Sequence, residues 1–203
     1  MYEPRPLVTL LSAGTETLVG LDVLAQYLGF DGDYDAAQDN VLPVLLQAAV
    51  EEGEQMTGLV WGAAQYRLTG LMLYAPCQAV RLAPLSPVSA VTGVWHMVDG
   101  VEVELDAAAY SVTPSLIQAG RPFAELCPVT AWPQGLHALN VHCAAGWTAA
   151  TLPESIRAWL LARVATLYDY RQDVITGSQP AQMPRDHTRA MLDRWTVRGW
   201  DNA

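Results

Sequence analysis

Val94-Trp-His-Met-Val-Asp-Gly-Val-Glu-Val-Glu-Leu105 carries the clearest strand signal in this chain. Asp99-Gly100 sits between two runs rich in β-branched residues. A two-residue hairpin turn needs positive φ at both central positions, and Asp-Gly tolerates that. Closing the turn there pairs Val98 with Val101, His96 with Val103 and Val94 with Leu105 on one face. Trp95 then stands opposite Glu104, and Met97 opposite Glu102, on the other face. One face is nearly all apolar, the pattern of an antiparallel hairpin lying half-buried on a core.

Around the hairpin, residues about 63–150 keep the same character. Prolines and glycines punctuate short runs of Val, Leu, Tyr and Trp, as in an antiparallel β region. Between Gly135 and Gly146, Leu136-His-Ala-Leu-Asn-Val-His-Cys143 reads as a further strand, with His137, Leu139, Val141 and Cys143 on one face.

The flanks read as helix. Over about 20–62, Leu21, Leu24, Ala25 and Leu28 make one apolar face of a short helix. Gly29 and Asp31-Gly-Asp-Tyr-Asp35 form a polar turn, and a longer helix follows, capped near Asp39 or Asn40. Pro43 is tolerated in its first turn, where the missing N–H has no partner anyway. Val41, Leu45, Ala48 and Ala49 carry its apolar stripe, and Thr57-Gly58 ends it, glycine taking the left-handed cap. Over about 151–203, Thr151-Leu-Pro-Glu154 is a capping box. Ile156, Trp159, Leu160, Val164 and Leu167 form the buried stripe of a helix ending near Arg171. A loop at 177–180 precedes a last amphipathic helix running from about Pro184 to about Trp200, with Thr188, Met191, Leu192 and Trp195 on one side. The expected class is α+β. Helical N- and C-terminal segments form a small bundle, and a central antiparallel β region lies between them, in a single protomer spanning residues 1–203.

Composition bounds the function. The chain has 203 residues, of which 51% are hydrophobic and 16% charged, so a packed core is expected rather than disorder. All eleven basic residues are arginine, and the net charge is -10, which argues against grip on a nucleic-acid backbone. No apolar run reaches the roughly 18 residues of a membrane span, and the opening Met1-Tyr-Glu-Pro-Arg-Pro6 does not read as a secretory signal. A soluble, intracellularly made protein is expected. Cys77, Cys127 and Cys143 are odd in number and widely spaced, which argues for reduced, mostly buried thiols.

The charge is uneven along the chain. Residues 1–60 carry a net -9, residues 61–150 a net -2 and residues 151–203 a net +1. Seven of the eleven arginines therefore fall in the last quarter, where they face either an acidic partner or the chain's own N-terminal acids. Trp195 and Trp200 lie among them, and Trp with Arg is the pairing most enriched at interface hot spots. The alternative is a terminal helix folded back on its own core.

Catalytic patterns are absent from the sequence. There is no phosphate-cradling loop, no dinucleotide fingerprint and no nucleophile elbow. Asp31-x-Asp33-x-Asp35 opens like a calcium loop, but Ala36 stands where glycine is needed and Leu42 where glutamate is. Glu51, Glu52 and Glu54 read as a solvated helix face. His137 and His142 point to opposite sides of a strand, as do His142 and Cys143. His137 and Cys143 share a side but stand roughly 20 Å apart, so no nucleophile meets a base. His96 reads as a hydrogen-bonded core residue. No enzyme, cofactor or metal site is expected. A small Cys/His-dependent enzyme would need the 137–143 segment to be a loop.

The order of features resembles the head–tail connector (adaptor, or head-completion) proteins of tailed phages, prophages and gene transfer agents. The pieces are Leu21-Asp-Val-Leu-Ala-Gln-Tyr-Leu28, Glu54-Gln-Met-Thr-Gly58, Arg81-Leu-Ala-Pro-Leu-Ser-Pro-Val-Ser-Ala-Val91 and Leu105-Asp-Ala-Ala-Ala-Tyr110. Ala145-Gly-Trp147, Leu152-Pro-Glu-Ser-Ile-Arg157 and Leu167-Tyr-Asp-Tyr-Arg171 complete the series. Two features depart from the family pattern: Thr148 follows Trp147 where an aromatic and glycine are usual, and the last helix runs on to about Trp200.

The resemblance implies a structural virion protein of the head–tail neck, made in a host bacterial cytoplasm. It implies a ring homo-oligomer, a dodecamer, under the portal protein, extending a channel through which DNA passes without specific binding. It also implies contact with a stopper or other neck or tail protein; a stopper or tail-completion role is the neighbouring alternative. Docking into the portal is expected through the C-terminal segment, with Arg185, Arg189, Met191, Arg194, Trp195, Arg198 and Trp200 as the contact residues.

Overall fold

Residues 6–30, 41–120, 122–169 and 188–197 are described by the structure, a computed structural model. The chain divides into two compact units, one of residues 1–16 and 59–148, the other of residues 17–58 and 149–203.

The first unit is built of strands β1 (Leu7–Ser12), β2 (Ala64–Met72), β3 (Val80–Arg81), β4 (Val88–Val98), β5 (Val101–Glu104), β6 (Tyr110–Thr113), β7 (Glu125–Pro128) and β8 (Ala138–Ala145). They form a five-stranded sheet in the order β1-β2-β8-β4-β5 and a three-stranded sheet in the order β3-β7-β6. Every pairing within both sheets is antiparallel. The hairpin register is the one expected: Val98 faces Val101, His96 faces Val103, Met97 faces Glu102 and Trp95 faces Glu104. Asp99 and Gly100 both take positive φ, 51° and 83°. Only the base of the apolar face is buried, however. Val94 and Leu105 are covered, whereas Val98, Val101 and Val103 are exposed.

Leu68, Val94, Leu139, Val141 and Cys143 from the large sheet and Val80 and Leu126 from the small one share a single core. Connecting segments complete it. Leu82 and Leu85 come from the proline-punctuated run after Arg81, and Trp132 is pinned by its indole N–H donating to the Gln78 carbonyl at 2.8 Å. Asp106 caps a 3-10 turn at Ala107–Ala109, accepting from the Ala108 N–H at 2.9 Å, so Leu105-Asp-Ala-Ala-Ala-Tyr110 is a strand exit. Gly146 (φ 93°) lies where the chain crosses the segment at Gly62, and an added Cβ would stand 2.3 Å from the Gly62 carbonyl oxygen. Trp147 then exchanges backbone bonds with Trp61 and Ala63. The Ala-Gly-Trp step is therefore set by backbone approach.

β1 departs from the sequence expectation, which began with helix. Leu7-Val-Thr-Leu-Leu-Ser12 lacks a clean period of two and carries a register shift between Leu10 and Ser12, so no alternation marks it.

The second unit holds helices α1 (Leu21–Tyr27), α2 (Val41–Thr57) and α3 (Glu154–Asp169), with α3 packed against both of the others. A strand, β1, precedes α1, so the helices that pack together do not begin the described chain. α1 buries Leu24 and Ala25 as expected. In α2 the buried stripe is Leu42, Leu46, Ala49, Gly53 and Thr57, while Val41 and Ala48 are exposed. The first half of α2 is apolar nearly all round, and two overlapping stripes both satisfy helical spacing. Packing selected the one that sequence alone could not. Thr57 Oγ donates to the Gly53 carbonyl at 2.7 Å and Gly58 (φ 70°) closes the helix. α3 buries Ile156, Trp159, Leu160 and Val164. Phe30 meets Tyr168 edge to face at 5.6 Å. Glu52 is not simply solvated: Arg163 Nε donates to it at 2.6 Å. That pair is partly exposed and contributes at most about 1 kcal/mol. Asp31–Asp35, the expected cap at Asp39 or Asn40, and the helix end at Arg171 lie outside the described residues.

Candidate interaction surfaces

The arginine-bearing end is described over residues 188–197. Thr188 and Arg189 are helical, a turn follows, and Asp193–Trp195 make one 3-10 turn. The backbone then extends, and the Val197 N–H donates to the Thr57 carbonyl at 2.8 Å. The continuous helix expected to reach about Trp200 thus ends by Trp195. Leu192 and Trp195 are buried in their own unit, Trp195 being 6% exposed. The Trp195 indole N–H donates to Ser155 Oγ at 2.9 Å. Arg194 stacks on the same indole at 5.2 Å from its centroid. Of the expected contact residues, Arg189 and Arg194 are exposed, Met191 is half-buried, and Trp195 faces inward. Arg185, Arg198 and Trp200 lie outside the described residues.

The histidines and cysteines do not converge. Cys143 is fully buried in the sheet core, and burial pushes its thiol up to about 11, the opposite of an activated nucleophile. His142 is on the other face of the same strand, its ring 4.1 Å from that of Trp95. His137 is exposed, one residue before β8. Cys77 is exposed and Cys127 half-buried. Among the described residues no group of three or more His, Cys, Asp or Glu is placed to hold a metal ion, and no helix is long and apolar enough to cross a membrane.

The outer face of the five-stranded sheet carries a polar strap that the sequence reading did not single out. Arg67 on β2 forms an ion pair with Glu102 on β5, although three strand spacings, about 14 Å, separate those strands. The Asn140 amide donates to the same Glu102 oxygen at 2.7 Å, and its carbonyl accepts from the Gly70 N–H at 3.1 Å. The Asn140 hydrogen bond, helped by Arg67, holds the Glu102 carboxyl below the usual carboxylate range. Trp95 lies across Gly93, where an added Cβ would come within 2.2 Å of the indole. His142 is held below its ordinary pKa first by burial and then by Arg67, with Glu102 opposing, and its Nε2 has no hydrogen-bond partner among the described residues. A period of two that places Asn140 and His142 on one side of β8 was the available signal. The strap's bonds link β2, β8 and β5 across β4, and its one carboxylate is already occupied by two donors.

No family model matches the chain, and no curated protein matches it in sequence. Solved structures do match in fold. The neck of an empty gene transfer agent particle computed with C6 symmetry contains a chain with a TM-score of 0.70 and 21% identity, the match covering 96% of this chain and 98% of that one. A chain of the virion of a native gene transfer agent particle matches with a TM-score of 0.68 and 21% identity over the same shares. The neck of a native particle computed with C12 symmetry contributes a third, at 0.63 and 24% identity, again over 96% and 98%. The chain therefore shares its whole fold with a component of such necks.

Proposed function

We propose that this chain is a structural protein of the virion neck, a head–tail connector of the adaptor type. The observation that carries the reading is the shared fold over 96% of this chain and 98% of its counterpart in gene transfer agent necks. In this reading copies form a dodecameric ring beneath the portal, extend the DNA channel and join the head to a stopper or other neck or tail protein. The net charge of -10 supports a conduit, because like charge keeps phosphates from sticking as a genome passes. Burial that pushes the Cys143 thiol up to about 11 leaves it undissociated, which supports a role without catalysis.

Docking on the portal runs through the C-terminal segment, with Arg189 and Arg194 as exposed cations and Arg185, Met191, Arg198 and Trp200 as further contacts. Trp195 supports from beneath, by stacking under Arg194. Sizing the purified chain alone and then with portal protein tests the assignment: a ring-sized complex with portal is expected, and no association under any condition refutes it. Deletion after Gln179 is expected to abolish portal binding; full neck occupancy by the truncated chain refutes the docking segment. Cross-links in intact particles to tail proteins only would assign the stopper or tail-completion role instead.

A further inference from the structure

We propose that two different aliphatic patches, at opposite edges of the five-stranded sheet, pack head to tail between copies of this chain. Leu7, Leu10 and Leu11 on β1 of one copy would meet Val98, Val101 and Val103 on the β4–β5 hairpin of the next. The inference rests on the neck-ring reading and names the surface that closes such a ring.

β1 and β5 are the outermost strands of the sheet, and among the described residues nothing pairs with their outer edges. Leu7, Leu10 and Leu11 are 66%, 54% and 48% exposed, and β1 contains neither a charge nor a proline. Proteins that remain monomeric blunt such edges with charge or proline. At the other edge Val98, Val101 and Val103, which share one face of the hairpin, are 43%, 63% and 42% exposed. Clustered exposed aliphatics of this kind mark contact surfaces.

The pairing of patches follows from charge and symmetry. Two β5 strands brought together would oppose Glu102 and Glu104 to their own copies, and like charges directly opposite are destabilising. β1 carries no charge and accepts β5 without that cost. A β1–β1 contact is isologous and stops at a dimer, whereas a contact between two different patches propagates and closes into a ring. A neck with C12 symmetry repeats one such contact around its axis. The two edges are four strand spacings apart, about 19 Å, so one protomer can use both at once. The contact is made by side chains and does not continue the sheet. Sheet twist of about 20–25° per strand turns β5 by roughly 80–100° from β1, and one twelfth of a turn between copies cannot realign them.

The test places cysteines at Leu10→Cys and Val101→Cys together, in a Cys77→Ser background, and applies a short thiol cross-linker to assembled necks. A ladder of multimers is expected on a denaturing gel, with both single variants remaining monomeric. Necks that assemble but give no ladder, or dimers from Leu10→Cys alone, overturn the interface while leaving the ring reading standing. An unsubstituted chain that neither forms rings with portal nor enters particles overturns both. As a second measurement, Leu10→Glu and Val103→Glu should each weaken self-association at least about tenfold with an unchanged melting temperature. Unchanged assembly of both variants also overturns the proposal.

Discussion

β8 and β1 belong to one sheet and are both short apolar segments, yet they live in different surroundings. β8 has β2 on one side and β4 on the other, and Leu139, Asn140, Val141, Cys143 and Ala145 are all buried. β1 pairs with β2 alone, and five of its six residues are exposed. A leucine therefore has no fixed meaning along this chain. In the centre of the sheet it is core, and at the edge it is surface available to something else.

Shortening one leucine in each strand should separate the two environments. Leu139→Ala should cost about 2–5 kcal/mol, because it removes a fully buried side chain and leaves a cavity. Leu10→Ser should change stability by no more than about 0.5 kcal/mol, and urea midpoints of the two variants should separate them cleanly. Equal losses would mean that β1 is part of the core after all.

A smaller but still clear loss is expected for Gly146→Ala, beside the end of β8. Its φ of 93° and the nearby Gly62 carbonyl both oppose a Cβ, for a cost of roughly 1–3 kcal/mol by thermal melting. The corresponding change at Gly100, whose φ is 83° but whose added Cβ would meet nothing, should cost less.

Smaller again is the effect of pH on the polar strap over β8. The folded state holds His142 below its ordinary value of 6.5, so the unfolded chain binds more protons. That contribution to stability is complete above 6.5 and is lost as pH falls through it toward the lowered folded value. Glu102 adds a loss in the same direction, present above 4.5 and gone as pH falls through its own lowered value. Denaturation midpoints followed from about pH 8 to about pH 5 should fall in the native chain and fall less in His142→Leu. Identical slopes would remove His142 from the strap.

What was legible in the sequence follows the same division. The hairpin register was readable because Asp99-Gly100 admits one turn geometry, and the turn aligns every pair up to Trp95 and Glu104. The buried stripe of α3 was readable because Ile156, Trp159, Leu160 and Val164 offer a single apolar face. The stripe of α2 was not, since Val41, Leu42, Leu45 and Leu46 offer two. Trp195 was ambiguous for a related reason: an indole beside arginines suits a partner surface or a core, and Ser155, forty residues earlier, claims its N–H. The polar strap was invisible because Arg67, Glu102 and Asn140 are far apart in the chain and meet only once four strands lie side by side.

The α+β class, the Asp99-Gly100 turn and the Gly58 helix end followed from the sequence alone. These depend on backbone conformations and periodicities set by neighbours a few residues away. Which strands are central and which are edges, which face of α2 is core and which aliphatics remain uncovered were settled by tertiary packing. Those outcomes depend on what lies across the sheet or helix interface, and that partner is supplied by distant parts of the chain.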